Sequence, residues 1–559
     1  MRHYVILTCV LLSFSCAERE SSELAELDVV ILGGRVVDGT GAAWFHGDVG
    51  IRGDRIARIT RAGLLADAPA VERIDASGLV VAPGFIDIQS HSRRAFLTGD
   101  GRVVSKTTQG ITTEILGEGW TNAPANENTL ATARAQESFE GEHGFDAWLR
   151  AMEEHGISSN VGSFVGATTI RVYAKGEEMG PATEAELELM RDAARRAMED
   201  GAFGFASALI YPPGNFASAE ELAEIAKAVA PYGGIYITHM RSEADQYLEA
   251  VEEAIHIGRD GGVPVEIYHL KASGQRNWHK AQEAIDLIDR ARAAGMDIQA
   301  NMYPYVAGGT GLAAVLPPWA SADGKLLDNL RDPETRQRIH DEVLSSETEW
   351  ENLGQLASPE GILIVNAGGE ANKVFVGRRL SEIAQEKGVD WVDAAIELLL
   401  AAESRVGMVI FAMAEDNVKL QMKQPWIKFG TDAGGADPEA VETMVHPRTY
   451  GTYPRILGKY VREESVLILE DAVRKMSSAV ATRLSISDRG LLKEGFFADV
   501  VVFDPGTIID KATFEEPHQL SMGVEHVFVN GVAVVRESKH TGEKPGRIVR
   551  GPGWSGATF

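Results

Sequence analysis

Residues 83–91 read Pro-Gly-Phe-Ile-Asp-Ile-Gln-Ser-His, a short apolar strand candidate, Phe85–Ile88, with the polar, metal-capable run Gln89-Ser90-His91 directly after it. Seven more short strand candidates follow: Thr113–Leu116, Val161–Val165, Gly204–Ser207, Ile235–Thr238, Val265–Tyr268, Ile298–Asn301 and Ile427–Gly430. Amphipathic helical stretches separate them, which is the pattern of a parallel α/β sheet. Thr183-x-x-Glu186 and Ser218-x-x-Glu221 are capping boxes that open helices over Glu184–Glu199 and Ala219–Val229. Eight strands of this kind suit a closed (β/α)8 TIM barrel, predicted over residues 83–485. The stretch 316–423 is too long for one crossover and holds strand candidates of its own, Ile362–Val365 and Met408–Phe411, so it reads as an excursion from the barrel.

Outside the barrel both ends of the chain are β-rich. Val29–Leu32, Arg35–Asp38 and Gly47–Ile59 are punctuated by Gly33-Gly34 and by a hairpin turn at Gly53-Asp54. At the other end Ala498–Phe503 and Val524–Val535 have the same style, with Asn530-Gly531 as the turn between two apolar runs. Chain termini often lie close together, so residues 28–82 and 486–559 are expected to form one small β-sandwich domain and tail, with the barrel inserted between them.

The 559 residues carry 54 Lys+Arg against 81 Asp+Glu, a formal charge of −27, which argues against a nucleic-acid partner. Hydrophobic residues at 44% place the chain in the globular class. Both cysteines, Cys9 and Cys16, lie in the leader, so a disulfide framework, a cysteine zinc site and a cysteine nucleophile are excluded beyond it. Arg2 followed by the apolar run Val5–Phe14 reads as a secretory signal over residues 1–16, too short to span a bilayer. Leu12-Ser13-Phe14-Ser15-Cys16 resembles a bacterial lipoprotein processing site, with Ser13 where Leu is more usual. It implies an exported, periplasmic or envelope protein, lipid-anchored at Cys16 through a tether over residues 17–27.

Candidate ligands follow the strands. His91 comes after the first, Glu118 after the second, His239 after the fifth, His269 after the sixth and Asp432 after the eighth. Residues just past the strand ends of an α/β barrel converge on one face, so these distant groups can share a site. Neutral imidazoles with a carboxylate suit Zn²⁺, and a further Asp beside a metal-activated water makes a general base, which together read as metal-assisted hydrolysis. Single residues decide little. His46, His143, His256, His279 and His540 read as surface or structural, Glu118 equally as a capping or solvated carboxylate, and Asp432 equally as the start of a turn before Gly434-Gly435.

Pro83-Gly84-Phe85-Ile86-Asp87 is similar to the first-strand signature of the amidohydrolase superfamily. Ala202–Pro213, Thr238-His239-Met240-Arg241, His269-Leu270-Lys271-Ala272, Tyr303-Pro304-Tyr305, Thr431-Asp432, His446-Pro447-Arg448 and Gly451–Arg455 resemble the D-aminoacylase (N-acyl-D-amino-acid deacylase) family in order and spacing. The resemblance implies a (β/α)8 barrel with a small terminal β-domain, and a hydrolase that removes the acyl group from N-acyl-D-amino acids. It implies His239 and His269 as zinc ligands and Asp432 as the general base that later protonates the leaving amine. Lys271, Tyr303 and Arg448 match positions that bind the substrate α-carboxylate.

Three departures stand out. The family's His-x-His pair is Gln89-Ser90-His91 here, which leaves His91 as the one remaining histidine of a second metal site. The family's bridging cysteine falls at Gly119, and Glu118 is the nearest residue able to replace a thiolate. N-acetylglucosamine-6-phosphate deacetylases also carry Gln at the first of these positions and use one metal held by a Glu and two His. By that analogy a single catalytic metal is expected on Glu118, His239 and His269. Gly309 stands where related enzymes have a serine that helps to hold the carboxylate. The alternatives are a peptidase or cyclic amidase on the same scaffold, or a catalytically degenerate binding protein.

Overall fold

The computed structural model describes residues 26–556 apart from 133–136, 347, 403–404 and 442. The expected signal peptide over residues 1–16, with Cys9 and Cys16, and all but the end of the expected tether lie outside the described residues. Leu27, expected at the end of the tether, pairs with Ala70 at the start of the first strand of the β-domain.

All eight predicted barrel strands form, at Phe85–Asp87, Ile111–Leu116, Asn160–Ser163 running on into Val165–Gly166, Gly204–Ala208, Ile235–His239, Val265–Ile267, Ile298–Met302 and Ile427–Phe429. Every neighbouring pair from the first to the eighth is parallel. The ring closes differently. Among the described residues the eighth and first strands share no ladder, but a single parallel bridge between Ser90 and Ala433, with bonds from Asp432 N to Gln89 O at 2.8 Å and from His91 N to Ala433 O at 3.1 Å.

Inward-facing Ile86, Ile88, Ile115, Phe164, Ile237 and Tyr268 fill the barrel interior. Its base is plugged by the helix Ser478–Arg483, whose Arg483 donates to the buried Glu266 carboxylate at 3.0 Å. The predicted helices Glu184–Glu199 and Ala219–Val229 form over those residues. Thr183 and Glu186 make the full reciprocal cap. At Ser218 only half of the box exists: its hydroxyl accepts from Glu221 N, but the Glu221 carboxylate is taken by the buried Arg171 guanidinium at 2.5 Å. A buried charge needs its partner more than a helix end needs a second cap.

The two ends of the chain meet in one nine-stranded mixed sheet, in which Val80–Pro83 pairs antiparallel with Val500–Phe503. Together they make the expected β-sandwich. Gly53-Asp54 and Asn530-Gly531 turn their hairpins, with φ of +50° at Asn530 and +81° at Gly531, the left-handed pair that a tight two-residue turn demands. The excursion has its own core and a three-stranded sheet of Gly308–Gly311, Ile362–Asn366 and Gly407–Ile410. That sheet begins earlier than residue 316, so Gly309 is one of its strand residues.

A buried polar knot joins sandwich to barrel. Arg489 pairs with Asp499 and donates to Asn530 Oδ1 at 2.9 Å, and Asn530 donates to Asn160 Oδ1 at 2.8 Å at the foot of the third barrel strand. An Asp499→Ala substitution leaves the Arg489 cation buried and unpaired, so it is expected to cost about 3–5 kcal/mol, read as a lowered urea midpoint at unchanged slope.

Candidate active site

The residues after the strands do converge. Glu118 Oε1 lies 3.1 Å from His239 Nδ1 and 3.6 Å from His269 Nε2, and the two imidazole rings stand edge to face with centroids 4.5 Å apart. All three side chains are nearly buried. A tetrahedral cation with bonds of about 2.1 Å spaces its ligand atoms about 3.4 Å apart, so the residues present fit a zinc-sized ion. A second group, His91, Glu118 and Asp432, overlaps the first through Glu118. His91 Nε2 sits 2.8 Å from Asp432 Oδ1 and 3.5 Å from Glu118 Oε2, with the imidazole 42% exposed at the mouth.

Gln89 explains the division of labour within Glu118. Its amide Nε2 donates to Oε2 at 2.6 Å, which occupies that oxygen and leaves Oε1 to face the histidines. Gly119, where the resemblance puts a cysteine, has φ of +68°, and a Cβ there would lie 2.8 Å from the Ala208 methyl. Its direction is toward packed backbone and side chain, while Glu118 supplies the group that reaches the cluster.

Electrostatics set the protonation of this pocket. Burial and the Lys271 ammonium press the His269 imidazole down, but Glu243 and Glu118 outweigh them and raise it to about 9. Burial also opposes the Glu118 charge, yet hydrogen bonds from His239 and His269 hold its carboxyl well below the usual range. For Asp432, burial is overcome by the Arg448 guanidinium and the His91 hydrogen bond, which bring it down to about 2. Two of the site residues are backbone outliers, His269 with φ of +33° and Asp432 with φ of +49°. Left-handed conformations at non-glycine residues cost on the order of 1–3 kcal/mol each and persist only where the surroundings enforce them.

The three residues expected to bind a carboxylate all line the site, and both cations are engaged by protein carboxylates. Lys271 Nζ donates to Glu243 Oε1 at 2.5 Å and lies 2.8 Å from His269 Nδ1. Arg448 Nη1 is 2.6 Å from Asp432 Oδ2, and the guanidinium lies over the Tyr303 ring, 4.6 Å from its centroid. The ion pair is close but poorly aligned, so Arg448 Nε and Nη1 are both buried without a hydrogen-bond acceptor. A Cβ added at Gly309 would lie 3.4 Å from Arg448 Nη2, so a side chain there would abut the guanidinium.

Sequence reading missed Glu243, whose carboxylate sits 2.9 Å from His269 Nδ1 and 4.0 Å from His239 Nε2. It fixes the far side of the His269 ring, as the outer partner of a ligating histidine does. Its position four residues after His239 was the only signal. Glu351 from the excursion was also missed: it accepts from Ser242 Oγ at 2.6 Å and from Glu243 N at 2.7 Å, and burial together with the Glu243 charge lifts it to about 7.

Residues 375–535 match the model of the Amidohydrolase family. The chain is 36% identical to the D-aminoacylase of Alcaligenes xylosoxydans xylosoxydans, over 94% of this chain and 98% of that one. It is 35% identical to the N-acyl-D-glutamate deacylase of the same organism, over 94% and 97%. A crystal structure of N-acyl-D-glutamate deacylase from Bordetella bronchiseptica, complexed with zinc and a phosphonate mimic of the tetrahedral intermediate, superposes with a TM-score of 0.78 at 33% identity, covering 94% of this chain and all of that one. With likeness spread over nearly the whole of both partners, the chain belongs to the D-aminoacylase family of the amidohydrolase superfamily.

Proposed function

We propose that this protein hydrolyses N-acyl-D-amino acids to a carboxylate and a free D-amino acid, with one zinc held by Glu118, His239 and His269. The observation that carries the reading is the convergence of one carboxylate oxygen and two imidazole nitrogens beside the Asp432–Arg448 pair. When bound, the cation supplies Lewis acidity that polarises an amide carbonyl and makes water a better nucleophile at neutral pH. The D configuration rests on the named activity of the relatives.

The chain's own groups do the rest. Asp432 Oδ1 takes a proton from the attacking water and returns it to the departing nitrogen, with His91 Nε2 at 2.8 Å orienting that oxygen. Arg448, whose buried Nε and Nη1 lack acceptors, suits the substrate's α-carboxylate, which a guanidinium can grip through two parallel bonds. Tyr303 supports the guanidinium from below. A carboxylate that pairs with Arg448 weakens its hold on Asp432, so substrate binding raises the basicity of Asp432 toward the working pH. Lys271 adds positive charge that offsets the acidic surroundings an anionic substrate must enter. The leader reading adds that the enzyme is exported and held at the cell envelope through Cys16.

A kinetic screen of N-acetyl-D-amino acids against their L enantiomers, dipeptides and cyclic amides, run with elemental analysis, tests the reading. Hydrolysis confined to dipeptides or cyclic amides, or a protein that neither holds nor responds to zinc, overturns it. Glu118→Ala is expected to lose both metal and activity. Asp432→Asn is expected to keep zinc while kcat falls about 10²–10⁴-fold, and the contrast separates ligand from base. In metal-free protein the His269 proton must leave before zinc binds. Apparent zinc affinity is therefore expected to rise about tenfold per pH unit as the pH climbs toward the His269 value of about 9 and to level off above it, as measured by calorimetric titration.

A further inference from the structure

Among the fully buried cations that the mechanism leaves unused, one stands next to the Asp432 backbone. Lys106 lies on the short helix Val104–Thr107, directly beneath the seam where the eighth barrel strand meets the first, with its side chain 0% exposed. Its ammonium donates to Asp87 Oδ2 at 2.7 Å on the first strand, and to Thr431 Oγ1 at 2.5 Å and Ala433 O at 2.6 Å at the end of the eighth. Ser90 Oγ is 3.3 Å away. Residue 432, with its φ of +49°, sits between the two groups that Lys106 holds.

We propose that Lys106 is a positioning residue for Asp432: its ammonium holds the Thr431 hydroxyl and the Ala433 carbonyl, one residue to either side of 432, and so keeps the carboxylate turned toward His91 and the Glu118 cluster. This deepens the reading of Asp432 as the proton carrier and rests on it. The seam supplies the reason. Ladder hydrogen bonds fix the other strand ends, but here, among the described residues, the backbone is tied by the isolated Ser90–Ala433 bridge and two bonds, from Asp432 N to Gln89 O and from His91 N to Ala433 O. Side chains take over. Asp87 Oδ1 accepts from Thr431 N at 2.9 Å, Thr431 Oγ1 donates to Asp87 Oδ2 at 2.6 Å, and Lys106 closes the triangle while reaching past it to Ala433 O.

The neighbouring backbone follows the same plan. Ser105 N donates to Ala436 O at 2.8 Å and Ala436 N to Ser105 Oγ at 2.9 Å, so the helix that carries Lys106 is bound to the loop after residue 432. Glu114 stands 3.5 Å from the ammonium and accepts from Ser90 Oγ at 2.6 Å and Ser159 Oγ at 2.8 Å. A lysine is suited to this place. Its three donors point to three acceptors in different directions, which a planar guanidinium cannot match.

Lys106→Met alone strands Asp87 as a buried anion, whereas Glu114 keeps the bonds from the Ser90 and Ser159 hydroxyls, so the test pairs it with Asp87→Asn. The double variant removes one charge of each sign, keeps the volume, and leaves an Asn Oδ1 to accept from Thr431 N. With N-acetyl-D-leucine as probe, kcat is expected to fall at least 100-fold while KM stays within about threefold and zinc content is unchanged. In its crystal structure residue 432 is expected to leave the left-handed region. A second variant, Thr431→Val, cuts the same latch without moving a charge and is expected to lower kcat about tenfold at constant KM. A folded, zinc-loaded double variant with kcat within threefold of wild type overturns the proposal. So does residue 432 unmoved in that structure, or zinc lost along with activity. Should the double variant not fold, Thr431→Val with unchanged kcat overturns it as well. The crystallographic readout judges the latch even if wild-type protein leaves N-acetyl-D-leucine intact, the result that would count against the substrate reading.

Discussion

A closed barrel must join its last strand to its first, and in this chain the join is made by buried charge. Asp87, Lys106 and Thr431 occupy a space that contains no exposed atom of Asp87 or Lys106. Taking two ions out of water costs several kcal/mol each, which their attraction offsets only with good geometry and further hydrogen bonds. Here every partner is supplied by strand ends or the helix beneath them. Such an arrangement adds little net stability, but it specifies one geometry sharply, and the residue specified is the one best placed to move a proton. The left-handed backbones of His269 and Asp432 belong to the same economy: the fold enforces conformations that isolated residues avoid.

Charge also prepares the pocket for its ligands. Glu118 and Glu243 hold His269 in the cationic form, and Asp432 is paired with Arg448. The site is thus internally neutralised by a proton on His269 and by ion pairs of Lys271 and Arg448. Under the proposed function, a cation held by Glu118, His239 and His269 would take over the role of the imidazolium proton beside Glu118. A substrate carboxylate bound as proposed would take over the role of Asp432 at Arg448. In a protein of net charge −27 this exchange matters, because an anion approaching unpaired acidic groups would be repelled.

Much of this was legible in the sequence. The strands could be read because short apolar runs bounded by polar residues leave few alternatives, and the metal-capable residues because each stands at a strand end. Pairing of the two termini followed from their shared strand-and-turn style. What could not be read are partners across long sequence gaps. Lys106 meets Thr431 over 325 residues and Arg171 withdraws Glu221 from its cap over 50. Nothing local distinguishes those lysines and glutamates from surface ones. Glu351 was hidden for another reason, since it arrives from an excursion whose docking no barrel periodicity describes.

The turn after the second strand explains why a carboxylate at 118, and not a side chain at 119, faces the two histidines. Gly117-Glu118-Gly119 is tightly built: a Cβ at Gly117 would meet Phe164 O at 2.3 Å, and one at Gly166 would meet Gly119 O at 2.3 Å. Backbones approach so closely here that only residue 118 has room for a side chain directed at His239 and His269. A thiolate at 119 would require the turn to shift away from Ala208, whereas a glutamate at 118 reaches the histidines from the turn as it stands. The exchange has a chemical consequence. A carboxylate is a harder ligand than a thiolate and has two oxygens, and with Gln89 holding one of them it presents a single donor to the cluster. Gln89 and Glu118 therefore act as a pair: the amide that holds Oε2 leaves Oε1 as the one oxygen of Glu118 that faces the two histidines.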